Sequence, residues 1–164
     1  MTGGGVSTDP ENDYGLMLRV SYPSSTTTWS AYAAQHSKGC SGTATAYAIG
    51  IKWNDPTDKP TLTTKIMSAT SGASGAPWET LGVGPNYTLV GGGARVEDSP
   101  NPNNNIMLQD SYPSGSGAQA IWSVQGHDCE TSASNSITAY AIGLQVITSR
   151  NKTVPFGPGC QSAR

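Results

Sequence analysis

The run Thr43-Ala-Thr-Ala-Tyr-Ala-Ile-Gly-Ile-Lys-Trp53 has a counterpart in Ile137-Thr-Ala-Tyr-Ala-Ile-Gly-Leu-Gln-Val-Ile147, and the two share TAYAIG at 45–50 and 138–143. In the first run Tyr47, Ile49 and Ile51 alternate with Ala46, Ala48 and Gly50. A period of two is that of a β-strand, with bulky side chains on one face and small ones on the other. The small face lets a second sheet or a neighbouring backbone approach closely.

Working outward from TAYAIG, the likeness extends over most of each run. Trp29 precedes Tyr47 by the same 18 residues that separate Trp122 from Tyr140. LMLRVSYPS (16–24) matches IMLQDSYPS (106–114), and Gly3-Gly4-Gly5 matches Gly91-Gly92-Gly93. The offset drifts from 88 to 90 to 93, which places the insertions in loops. The chain is therefore a duplication, and repeats constrain a fold more than propensity does. The reading is a single all-β domain over 1–164, with repeats at 1–53 and 87–147, a connector at 54–86 and a C-terminal segment at 148–164. Short runs rich in β-branched and aromatic residues, punctuated by DPEND, NDPTDKP and EDSPNPNNN, predict about ten strands. They would form a duplicated, pseudo-symmetric β-sandwich, barrel or β-prism. The first repeat lacks the upstream extension TLTTKIMSATS (61–71) and PWETLGVG (77–84) that precedes the second. Either the C-terminal segment closes the sheet beside the N-terminal strand, or strands are exchanged between chains.

Composition narrows the function classes. The 164 residues include 12% charged and 35% hydrophobic residues, with 20 Gly and 11 Pro, and the formal net charge is -2. No basic footprint for nucleic acid exists, and no apolar run reaches the roughly 20 residues of a membrane helix. Low charge with abundant Gly, Ser, Thr and Asn points to an extracellular or cell-surface protein, although the chain as given opens without a signal-peptide pattern.

Glycine triplets can cradle phosphate, but that chemistry needs a helix to follow them, and here more strand follows. Glycines within a strand mark a bulge or a close approach instead. His36 and His127 both lie between the Trp and the TAYAIG of their repeat, with Cys40 and Cys129 in the same loops. A twofold relation between the repeats places these loops at one end of the fold. A Cys40–Cys129 disulfide is the expected outcome, with Cys160 the odd cysteine. A zinc set from the two His and two Cys and three free thiols are the alternatives. No cofactor is implied.

Each repeat couples a Trp to polar residues: Trp29 to Gln35 and His36, and Trp122 to Gln125, His127 and Asp128. An indole face and neighbouring amides, imidazoles and carboxylates are what a sugar ring requires. The reading is a non-catalytic, lectin-like module that binds a glycan or polysaccharide, bivalent through the duplication. A structural subunit of a fibre, coat or adhesin, oligomerised by strand exchange, is the alternative. A polysaccharide-active enzyme comes third, because no nucleophile motif accompanies the acids.

The succession YTLVGGGARV, SYPS, W and TAYAIGLQV resembles a repeat of secreted bacterial proteins, where it stands beside hydrolase or adhesin modules. The resemblance covers most of 1–53 and 78–147, and it implies an extracellular, all-β accessory or binding module. The Asp-His pair common to that repeat appears here reversed, as His127-Asp128, and is absent around His36.

Overall fold

The computed structural model describes residues 1–10, 15–35, 41–54, 59–97, 106–128 and 134–148. His36, Cys40, Cys129 and Cys160 lie outside these residues, as does nearly all of the C-terminal segment. Neither the disulfide nor the alternatives to it fall on described residues.

The described chain is all-β. Its ten strands are β1 (Gly3–Pro10), β2 (Leu16–Pro23), β3 (Trp29–Gln35), β4 (Gly42–Ile49), β5 (Thr61–Thr70), β6 (Trp78–Gly82), β7 (Thr88–Val96), β8 (Ile106–Ser114), β9 (Ile121–Asp128) and β10 (Ile137–Ile147). One short 3-10 turn, Gly117–Gln119, links β8 to β9. No helix among the described residues is long and apolar enough to cross a membrane. The strands form a five-stranded sheet ordered β3-β2-β7-β10-β5, a three-stranded sheet β6-β9-β8 and a two-stranded sheet β1-β4, an arrangement consistent with a β-sandwich or barrel.

Both repeats pair their strands alike. In β1–β4, Gly3, Gly4 and Gly5 face Ile49, Ala48 and Tyr47. In β7–β10, Gly91, Gly92 and Gly93 face Ile142, Ala141 and Tyr140. In β2–β3 the register slips at Arg19, and in β8–β9 it slips at the matching Gln109. Such shared bulges accompany the shared MLxxSYP pattern, and a one-residue bulge re-aims every later side chain. Each repeat thus consists of a GGG/YAIG strand pair and an SYP/W strand pair.

The core lies in the second repeat. Ala94, Ile137 and Ala139 of β7 and β10 are buried with Val124 of β9, and Leu81, Leu108 and Trp122 close around them. Val96 and Ile106 form a second buried group beside Leu108. Segment 54–86 is more than a connector. It supplies β5, antiparallel to β10 over Thr61–Thr70, and β6, antiparallel to β9 over Trp78–Gly82. These two strands flank the second repeat on both layers, and none of the described strands flanks the first repeat in that way.

Candidate functional site

The two tryptophans are positioned by one device used twice. Trp29 Nε1 donates to Ser21 Oγ at 3.1 Å, and Trp122 Nε1 donates to Ser111 Oγ at 3.0 Å. Each indole lies on a glycine of the triplet. A β-carbon at Gly4 would stand 2.6 Å from Trp29 Cε3 and strike the Tyr47 carbonyl, and one at Gly92 would stand 2.5 Å from Trp122 Cγ and strike the Tyr140 carbonyl. Only a residue without a side chain leaves room for the ring there.

These paired elements enclose a cleft of about 320 Å³ between the repeats. Gly4, Gly5, Leu18, Ser21 and Trp29 line it from the first repeat, and Gly92, Gly93, Leu108, Ser111 and Trp122 from the second. Gln109 and Asp110 complete the described lining, so among the described residues its one ionisable group is an acid and no cation lines it. Each serine oxygen accepts from an indole, which leaves its own O–H to donate. The cleft therefore suits a neutral, hydroxyl-bearing molecule and disfavours an anion. Pockets of this volume are at the small end of those that take small molecules.

Of the residues expected to bind a ligand, Trp29 and Trp122 meet in this cleft, and Gln125, His127 and Asp128 do not line it. Trp29 is only 7% exposed, so little of its face is left for stacking. Along β9, Trp122, Val124 and Gly126 turn inward, the last against Ile106. Gln125 and His127 therefore project to the opposite face. His127 is exposed and stands five residues, roughly 17 Å, from Trp122 along the strand. Its Nδ1 lies 3.5 Å from Asp128 Oδ1, an attraction that operates only when the ring is protonated. Gln35 ends β3, and its side chain, like His36, lies outside the described residues. Among the described residues no three His, Cys, Asp or Glu side chains gather as a metal site. The glycines and serines of the cleft carried a readable signal, namely their repetition at matching places in both copies, but the Trp-and-loop reading passed over them.

A junction joins the repeats on one side. Val20 and Ser21 of β2 pair with Arg95 and Ala94 of β7, and Tyr22 stacks on Tyr140 with ring centroids 4.5 Å apart. Arg95 is tied to Glu97 at 2.9 Å. Burial pushes the Tyr140 hydroxyl above its ordinary pKa, with the Arg95 charge acting the other way. The matching residues on the other side, Tyr47 and Tyr112, are both exposed. Arg95 has Ser7 as its counterpart there.

The widest departure from symmetry lies on β4. Ile49 is 60% exposed, whereas Ile142, at the same register position, is fully buried. Ile51 and Trp53 are exposed, and their counterparts Leu144 and Val146 are buried. Every residue of β4 is exposed.

No family model, curated protein or solved structure matches the chain.

Proposed function

We propose that the chain is a non-catalytic structural module that joins other polypeptides by strand addition at its first repeat. One observation carries this reading: the apolar face that β10 buries is left open on β4, in the same register. Exposed β-edges that natural proteins keep solitary carry Lys, Pro or a bulge. The edge strand Gly42–Ile49 has no charged residue and no Pro. Main-chain pairing along such an edge supplies affinity, and alternate side chains supply specificity. A fibre, coat or adhesin subunit outside the cell fits this chemistry.

Hydrogen exchange combined with light scattering tests the reading. The amides of 42–49 that point away from β1 should exchange freely in dilute protein and become protected as particles grow, with growth abolished by Ile49→Lys. Slow exchange of those outward-pointing amides in the dilute monomer, or unchanged assembly of the variant, would sink it.

Carbohydrate binding remains a second reading, supported by the cleft at which both tryptophans converge, with Asp110 its one ionisable described residue. In this reading the ligand contacts Trp122, Ser21 and Ser111 rather than Gln125, His127 and Asp128. A glycan array with the parent protein and Trp122→Ala decides it: hits lost in the variant support the reading, and silence for the parent removes it.

A further inference from the structure

The open edge of β4 is one half of a larger vacancy. In the second repeat β10 carries β5 on its outer edge, with Ile142 opposite Ile66, Leu144 opposite Thr64 and Val146 opposite Leu62. In the other layer, β9 carries β6 on its outer edge, with Gln125 opposite Trp78 and Trp122 opposite Leu81. The strand pair β5–β6 thus closes both layers of that repeat at once. In the first repeat the equivalent positions are the outer edges of β4 and β3, and no described strand pairs with either.

The exposed apolar residues trace the same vacancy. Among the described residues seven large hydrophobic ones are exposed: Tyr32, Tyr47, Ile49, Ile51, Trp53, Trp78 and Tyr112. Five of these, Tyr32 to Trp53, lie on β3, on β4 or within four residues beyond β4. Tyr32 occupies the place of Gln125, the residue that faces Trp78 across β6–β9. Ile49, Ile51 and Trp53 occupy the places of the residues that face Ile66, Thr64 and Leu62. Scattered exposed apolar side chains need no explanation, but their concentration on two strands whose outer edges no described strand pairs fits an interaction surface.

We infer that this surface accepts a two-stranded segment of the β5–β6 type from a neighbouring polypeptide, one strand adding to β4 and the other to β3. The inference rests on the strand-addition reading above and names the partner. The β5–β6 of a folded copy of this chain is already engaged by β10 and β9, so the donor proposed is a segment of that type outside residues 1–164. Its pattern is legible in residues 61–82: a strand of Thr and apolar residues around Lys65, a turn rich in Gly, Ser and Ala, then Trp-x-x-Leu-Gly. Charge offers no obstacle. The donor strands carry Lys65 and Glu79, which cancel, and β3 and β4 carry no charge. The register carries over as well, placing an isoleucine like Ile66 opposite Ile49 and a tryptophan like Trp78 opposite Tyr32.

The test adds a synthetic peptide of residues 59–84 to the full chain and follows amide exchange. The expected result is saturable one-to-one binding that slows the amides of 29–35 and 42–49 and leaves those of 137–147 unchanged. Ile49→Lys should weaken binding at least tenfold, Ile49→Val should retain it, and a scrambled peptide should not bind. Protection of 42–49 by concentrated protein alone, with the peptide inert, would mean that β4 pairs with a second β4. That result overturns the two-stranded donor and leaves strand addition standing. No protection under either condition overturns both.

Discussion

Trp122 and Ser111 are joined across β8 and β9 by an indole-to-hydroxyl hydrogen bond of 3.0 Å, and Trp29 and Ser21 repeat it at 3.1 Å across β2 and β3. The two bonds differ in their access to water. Trp29 is buried, so Ser21→Ala leaves its N–H without a partner, at a cost of about 1–3 kcal/mol. Trp122 is only partly buried, and water can replace the hydroxyl, so Ser111→Ala should cost less than about 1 kcal/mol. Urea denaturation of both variants checks the order, and equal losses would contradict the burial argument.

Glycines at matching positions should respond differently to a methyl group. A β-carbon at Gly93 would collide with the Ser21 carbonyl and stand 2.8 Å from Tyr22 Cα, where β2 crosses close by. At Gly5 nothing lies within 4 Å. Gly93→Ala should therefore destabilise by about 1–3 kcal/mol or more, as overpacking against backbone does, whereas Gly5→Ala should be within about 0.5 kcal/mol of the parent. Thermal melts of the pair suffice. A large loss for Gly5→Ala would show that the β1–β8 side closes in solution.

The internal duplication made much of the fold readable in advance. Gly3–Gly5 and Gly91–Gly93, SYP and TAYAIG recur with enough context to place strands and to anticipate close approach at the glycines. The site was less readable because it depends on which way side chains turn. Trp122 and Gln125 are three apart on an unbroken strand, so they project to opposite faces, and proximity in sequence misleads there. The slip at Gln109, which brings Ser111 to the indole, has no sequence mark of its own beyond its repetition at Arg19. The contrast between Ile49 and Ile142 is a matter of neighbours, since the local sequence AYAIG is the same in both.

Tyr140 at the junction should make stability fall in alkali. Burial raises the Tyr140 hydroxyl, Tyr22 and Glu97 raise it further, and Arg95 opposes them. A group whose folded pKa exceeds its unfolded value favours the fold fully below the unfolded pKa, about 10 for tyrosine. That contribution is lost as pH rises through the folded value. The melting temperature should drop as pH rises above about 10, and Tyr140→Phe should make the decline shallower. An unchanged slope in the variant would assign the decline to other groups.

The last prediction compares the two isoleucines directly. Ile142 is fully buried on β10, between the neighbouring strands β7 and β5, so Ile142→Ala removes buried methyl groups and leaves a cavity. Substitutions of that kind cost about 2–5 kcal/mol. Ile49 sits in the same sequence context with 60% of its surface in water, so Ile49→Ala in dilute protein should shift stability by no more than about 0.5 kcal/mol. Under conditions where chains assemble, Ile49 gains neighbours and the ranking should tighten. Ile49→Ala should then lower the melting temperature of the assembled material while leaving that of the dilute monomer unchanged. Denaturation curves at two protein concentrations measure both values. A cost at Ile49 that is large and independent of concentration would show that its face is covered within the single chain, and the vacancy at β4 would be refuted.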